Sequence, residues 1–205
     1  MTRPADAVPD VSRETTERLS RFADLLRKWN PSINLVSRTT LDSLETRHIL
    51  DSAQLFDLKP AGARHWVDLG SGGGFPGLVI AILAAELAPT LRVTLIESDR
   101  RKATFLRTVA RELDLKEVRV LAERIETVPP QDADVVSARA LAPLPDLLAY
   151  AERHLAPGGI ALFPKGARHD EVDDGLASWR FEVQKFPSRT DPKAVILKLG
   201  AIARV

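Results

Sequence analysis

His65-Trp66-Val67-Asp68-Leu69-Gly70-Ser71-Gly72-Gly73-Gly74-Phe75-Pro76-Gly77 carries the strongest pattern in this chain of 205 residues. Trp66 to Leu69 is an apolar run broken only by Asp68, as at the carboxyl end of a strand buried on both faces. Glycines at 70, 72, 73 and 74 then permit a tight turn and a close approach of backbone to ligand. Pro76 falls where the first turn of a helix begins, and the apolar, alanine-rich stretch Leu78 to Leu87 continues it. A strand, a glycine loop and a helix N-terminus in succession predict a nucleotide-cofactor site. The bland alternative is a tight turn that binds nothing.

Two cofactor readings compete for this loop. Gly72-x-Gly74-x-x-Gly77 fits the dinucleotide fingerprint, which predicts an NAD oxidoreductase. Counted from Asp68, the same residues read acid-x-Gly-x-Gly-x-Gly, which resembles the first motif of the class I S-adenosylmethionine methyltransferases. That resemblance implies that Asp68 lies near the ammonium of the methionine moiety. A carboxylate there attracts a cationic ligand and repels a pyrophosphate, so S-adenosylmethionine is expected rather than NAD. Arg92 to Ile96 reads as the second strand and ends at Glu97, an acid placed to accept hydrogen bonds from both ribose hydroxyls.

From Arg64 onward strands and helices alternate. Helices are expected over Arg100 to Leu113 and Leu144 to Leu155, and strands over Val118 to Leu121, Asp134 to Ser137 and Ile160 to Phe163. Pro157-Gly158-Gly159 is read as a turn before the last of these. Arg180 to Lys185 and Ala194 to Leu199 look like a closing antiparallel pair. The expectation is an α/β, Rossmann-like fold: a mostly parallel seven-stranded sheet flanked by helices. Ahead of it, Ser12 is a candidate N-cap, and Leu19, Phe22, Leu26 and Trp29 recur at helical spacing up to Asn30-Pro31. A second helix is expected over Leu41 to Phe56, and Pro60-Ala61-Gly62-Ala63 breaks the chain before the central strand. Residues 1–62 therefore read as an N-terminal helical extension with a frayed lead-in, and 63–205 as the cofactor-binding domain.

Composition narrows the function. An apolar content of 44% suffices for a full core, and a net charge of +1 gives no global attraction to nucleic acid, so any RNA contact must be a local basic patch. There is no cysteine, which removes disulfides, cysteine zinc sites and thiolate-assisted pyrimidine C5 methylation. The histidines at 48, 65, 154 and 169 lack metal-ligand spacing, and no metal is expected. No apolar run reaches membrane-span length, and the first dozen residues lack a signal-peptide core, so a soluble cytoplasmic protein is expected; with no large exposed apolar helix in the pattern, a monomer is expected.

Several further segments complete the pattern: Trp29-Asn30 with Asn34-Leu35, Arg47-His48-Ile49-Leu50-Asp51-Ser52, Glu97-Ser98, Arg101-Lys102 and Phe105-Leu106. Arg124-Ile125-Glu126, Ser137-Ala138-Arg139-Ala140 and Pro164-Lys165-Gly166 follow. With the glycine loop, these resemble the RsmG (GidB) family of small-subunit ribosomal RNA methyltransferases over about residues 20–200. The loop marks the superfamily, while the His-x-x-Asp-Ser segment and Ser137–Ala140 mark the family. The resemblance implies methyl transfer from S-adenosylmethionine to N7 of guanine 527 in the 16S rRNA of the small ribosomal subunit. Gly70, Gly72 and Phe75 are then expected along the cofactor path and Ile125 and Glu126 beside the adenine. Glu97 stands where the family often carries Asp.

The chemistry of that reaction agrees with the residues. Guanine N7 has a free lone pair and no hydrogen, so its attack on a sulfonium methyl needs no general base. Ser137–Ala140 correspondingly lacks the Asp/Asn-Pro-Pro-aromatic loop of exocyclic-amine methyltransferases. Arg139, at the carboxyl edge of the sheet, is the expected catalytic residue and a cofactor contact, with a planar fork suited to guanine O6 or a phosphate. Arg38, Arg47, Arg124, Lys165, Arg168 and Arg189 are candidates for an RNA-binding rim. His48 reads as a packing histidine, and Asp170, Glu171, Asp173 and Asp174 as a solvated acidic face. Rival readings are a class I methyltransferase acting on another RNA nucleotide or small nucleophile, and a non-catalytic RNA-binding protein that senses the cofactor.

Overall fold

A computed structural model of the chain describes residues 9–166 and 175–205, with Arg38 described by its backbone alone. The lead-in at residues 1–8, Arg168, His169 and the acidic face Asp170, Glu171, Asp173 and Asp174 lie outside the described residues. Seven strands form one sheet in the order β3-β2-β1-β4-β5-β7-β6. β1 (His65–Leu69), β2 (Arg92–Ile96), β3 (Val118–Leu121), β4 (Ala133–Ala138) and β5 (Leu155–Lys165) are parallel. β7 (Val195–Arg204) pairs antiparallel with β5, and β6 (Trp179–Pro187) antiparallel with β7.

β1 is buried at every position because helices cover both faces of the sheet, which is why its sequence is apolar rather than alternating. One face carries α1 (Arg13–Ile33), α3 (Gly77–Leu87) and α4 (Arg100–Glu112), and the other carries α5 (Leu144–His154). α3 lies between the sheet and α1, so it is apolar all round. The start of α1 is tied to α3: Ser12 caps the helix by accepting from the Thr15 N–H, while the Glu86 carboxylate accepts from the Ser12 N–H at 3.0 Å. Leu19, Phe22, Ala23 and Leu26 bury the inner face of α1 in the same core as α3 and α4.

The chain leaves β1 toward β2 and β3, then returns to the other side of β1 as β4. That reversal opens a crevice between the carboxyl ends of β1 and β4, where open α/β sheets bind their ligands.

Three expectations are corrected. Asn30-Pro31 does not end α1; the helix runs on to Ile33 and ends at Asn34 in the left-handed conformation, φ 49°. Pro31 removes one backbone donor, but the Asn34 N–H still reaches the Asn30 carbonyl at 2.9 Å. The buried Asn30 Oδ1 then accepts from the N–H groups of Leu35 and Val36 at 2.7 and 2.8 Å, closing the helix from inside. The expected regular helix over Leu41 to Phe56 is instead a 3-10 turn (Arg38–Ser43), a π turn (Glu45–Leu50), the short α2 (Asp51–Ala53) and another 3-10 turn (Phe56–Leu58). Finally, Pro157-Gly158-Gly159 does not separate two elements but forms a bulge inside β5. The register with β4 jumps from Ala133↔Leu155 to Val135↔Ile160, and Gly159 passes so near the Ala133 carbonyl that a Cβ would lie 2.7 Å from it.

Asn30→Ala strips two buried N–H groups of their acceptor. A loss of about 2–4 kcal/mol is expected, read as a lower urea midpoint at unchanged m-value.

Candidate functional site

The crevice is built on a carboxylate with no exposed surface. Asp68 and Ser137 are partners in the β1–β4 register. The Ser137 hydroxyl donates to Asp68 Oδ1 at 2.7 Å and accepts from the Trp66 indole N–H at 2.8 Å. Asp68 Oδ2 accepts from the Gly77 N–H, in the first turn of α3, at 3.2 Å. Only glycine fits there, since a Cβ on Gly77 would lie 2.7 Å from Asp68 Oδ2 and 2.4 Å from Leu95 Cδ2. Burial pushes the Asp68 carboxyl up to about 6, against the opposing pull of these hydrogen bonds and of the Arg139 charge.

The glycine loop is folded over this carboxylate. Its turn is closed by the Ser71 N–H on the Ile96 carbonyl (3.1 Å) and the Gly74 N–H on the Ser71 carbonyl (2.7 Å). At the end of β2, Glu97 Oε2 accepts from the Gly72 N–H and Oε1 from the Asp99 N–H, each at 2.8 Å. Glu97 is thereby fixed at the lip of the crevice, and each oxygen keeps a lone pair for a ligand hydroxyl.

A cavity of about 340 Å3 opens at this lip, lined by Gly70, Gly72, Glu97, Ile125, Glu126 and Arg139 among others. Its far wall is the turn after β3, held by the end of α5: Arg153 donates to the Val128 carbonyl at 3.0 Å, and His154 Nε2 lies 3.2 Å from the Ile125 carbonyl. The Tyr150 hydroxyl donates to Glu126 Oε1 at 2.7 Å, which lowers the glutamate's pKa and pushes the phenol up to about 12.

A second cavity, about 280 Å3, shares Arg139 and Ala140 with the first and is lined by Arg47, Asp51, Lys165, Ser188 and Thr190. Arg139 forms the partition between the two. Its side chain is only 19% exposed. The guanidinium lies 5.1 Å from the Phe75 ring centroid, donates through Nη1 to the Arg47 carbonyl at 3.4 Å and meets His48 Nδ1 through Nη2. Asp51 Oδ2 stands 3.8 Å from Nη1. The π turn Glu45–Leu50, a local form that recurs at functional sites, presents the Arg47 carbonyl and the His48 ring together.

A family profile described as "rRNA small subunit methyltransferase G" matches residues 15–193. The chain belongs to that family. The ribosomal RNA small subunit methyltransferase G of Cereibacter sphaeroides is 59% identical over 197 residues, covering 96% of this chain and 95% of that protein. Among solved structures, a methyltransferase from Geobacter sulfurreducens shares the fold with a TM-score of 0.58 at 16% identity, over 94% of this chain and 90% of that one. A SAM-dependent methyltransferase from Aquifex aeolicus does so with a TM-score of 0.56 at 16% identity, over 87% and 97%.

Of the residues expected at the cofactor, the structure brings Gly70, Gly72, Glu97, Ile125, Glu126 and Arg139 to one cavity. Asp68 lies behind the glycine loop, and Phe75 faces the core, tilted against Phe22 at 5.2 Å and stacked on His48 at 5.0 Å. In the expected basic rim, Arg47 and Lys165 line the second cavity and Arg124 the first. Arg189 flanks the second cavity, its guanidinium 3.0 Å from Asp57. The Arg38 side chain is outside the described residues.

His48 is packed, as expected, but its contact with Arg139 was not foreseen. Asp51 went unassigned as well, although it belongs to the Arg47–Ser52 segment that marks the family. Among the described residues, no group of three or more His, Asp or Glu could hold a metal ion, and no helix is long and apolar enough to cross a membrane.

Because the fold favours protonated Asp68, its contribution to stability is fully present below the ordinary value of 3.8 and lost as pH rises through about 6. Relative to Asp68→Asn, the wild type is expected to lose about 2 kcal/mol between pH 4 and pH 7, measured by urea denaturation across that range.

Proposed function

We propose that this chain transfers the methyl group of S-adenosylmethionine to N7 of guanine 527 in the 16S rRNA of the small ribosomal subunit, working as a cytoplasmic monomer. Methylation of small-subunit ribosomal RNA follows from membership of the family; the atom and the nucleotide are our reading. The observation that carries it is Arg139 standing between two adjoining cavities, one with the features of a cofactor site and one with basic residues on its wall.

The residues of the first cavity suit S-adenosylmethionine. Gly70 and Gly72 offer backbone without side chains, Glu97 keeps lone pairs for the ribose diol, and Ile125 gives the adenine an apolar neighbour. The Asp68 carboxylate behind the loop favours a cationic ligand over a pyrophosphate. When bound, S-adenosylmethionine supplies an electrophilic sulfonium methyl.

The protein's own part is alignment and exclusion of water. Guanine N7 brings its lone pair and no proton, so no side chain need act as base. The carboxylates nearest Arg139 are already engaged, Asp68 by Ser137 and Gly77, Asp51 by Thr190 and Gln54. Arg139, with N–H groups to spare, orients the base through O6. Arg47, Arg124, Lys165 and Arg189 attract RNA phosphates locally, as a chain of net charge +1 requires.

The test is transfer from labelled S-adenosylmethionine to small subunits from cells lacking the enzyme, with the product mapped by chain cleavage at 7-methylguanine. Label at guanine 527 is expected. Arg139→Ala is expected to lower kcat/KM by about 100-fold, with cofactor affinity changed by less than about tenfold. Label elsewhere would favour the rival nucleotide. A cofactor bound without label on subunits or naked rRNA would favour the cofactor-sensing protein.

A further inference from the structure

We propose that His48 is a positioning residue for the methyl transfer: as a neutral imidazole it accepts a hydrogen bond from Arg139 at Nδ1 and so sets the plane and height of the guanidinium between the two cavities. The inference rests on the reading given above.

The hydrogen-bond directions around His48 allow one assignment. Arg139 has donors and no acceptor, so Nδ1 must carry a lone pair and the ring proton sits on Nε2. Nε2 lies 2.9 Å from the Thr40 hydroxyl, which itself donates to the Ser37 carbonyl at 3.0 Å. A consistent chain results: Arg139 gives to His48, His48 to Thr40, and Thr40 to the Ser37 backbone. A protonated imidazole would put a donor against a donor and a second cation beside Arg139. Burial, reinforced by the charges of Arg139 and Arg47, pulls the ring down to about 4, which keeps it neutral at pH 7.

Geometry makes this contact orienting as well as adhesive. His48 and Arg139 lie against the same Phe75 ring, at 5.0 and 5.1 Å, and Phe22 of α1 backs that ring at 5.2 Å. The Phe75 ring bounds the guanidinium on one side, and the acceptors His48 Nδ1 and the Arg47 carbonyl fix its orientation beside that ring. Two of the five N–H groups are used in this way, leaving the others for substrate. Both acceptors come from one π turn, Glu45–Leu50.

The experiment compares His48→Phe, His48→Gln and His48→Asn with the wild type. Phe keeps the stack on Phe75 without an acceptor. Gln carries its carbonyl one bond further out, toward Thr40, and Asn places a carbonyl oxygen where Nδ1 stood. Steady-state transfer to small subunits, cofactor affinity and thermal midpoint are measured for each, with His48→Phe also made in the Arg139→Ala background.

Phe and Gln are expected to lower kcat by about 30-fold or more, with KM for both substrates within about threefold and cofactor affinity intact, while Asn recovers to within about fivefold. The Phe substitution is expected to cost nothing further once Arg139 is alanine. Full activity of the Phe variant, an Asn variant as slow as Phe, or losses that multiply in the double variant would each overturn the inference. If His48→Phe folds poorly, the Gln and Asn pair decides alone. A wild type inert on subunits counts against the substrate reading, whereas an active wild type indifferent to His48→Phe counts against this inference alone.

Discussion

A carboxylate sealed from water at the switch point of the sheet is the constraint on which the crevice depends. Asp68 has no contact with solvent, so any charge it carries must be met by donors supplied from the fold. Ser137 supplies one from β4 and Gly77 supplies the other from the first turn of α3, where the helix end favours negative charge. Meeting these demands fixes three things together: the β1–β4 register, the distance of α3 from the sheet, and the path of the glycine loop between them. Trp66 anchors the serine from below, so the whole chain of bonds has little freedom. The site inherits its shape from that rigidity.

Arg139 is the complementary charge, and it is mounted differently. It is mostly buried, and burial pulls its pKa down, while Asp51 and Asp68 pull it back up. Two carboxylates near one guanidinium would ordinarily lock it into an ion pair. Here each Asp68 oxygen already accepts from a donor of its own and Asp51 stands 3.8 Å away, with Oδ1 drawn to the Thr190 hydroxyl at 2.9 Å and the Gln54 amide at 2.9 Å. The arginine is held by neutral acceptors and an aromatic face, and a cation so held keeps donors for a ligand. The loop of residues 188–191 is tied by the same Asp51 to the segment that carries His48, so both walls of the second cavity are coupled.

What was legible in the sequence was local. The strand, glycine loop and helix are neighbours along the chain, and their identities follow from apolar runs, glycine and proline without knowledge of anything distant. Glu97 was legible for the same reason, at the end of an apolar strand. The seven strands were found because turns and periodicity mark them, although the bulge at Pro157–Gly159 passed for a turn: glycine permits both, and only the neighbouring Ala133 carbonyl distinguishes them. α1 outran Pro31 because a buried asparagine side chain closes it, which periodicity does not report. The π turn was invisible, since its residues carry an ordinary helical pattern. The His48–Arg139 contact joins positions 91 residues apart and leaves no local trace.

The hidden part is also where the N-terminal segment enters the chemistry. Phe22 on α1 presses on Phe75, Phe75 supports Arg139 and His48, and the π turn supplies the acceptors. Under the proposed transfer to guanine N7 no general base is needed, so the rate depends on distance and angle, that is, on how firmly the partners are held. The cavity proposed for the cofactor is formed by the sheet and its loops, whereas the contacts that hold Arg139 come from the helical segment ahead of β1. Under the proposed function, the sheet offers the methyl donor a site and the N-terminal helices determine how the nucleophile faces it. The two must therefore pack as one core for the methyl and the lone pair to meet in line.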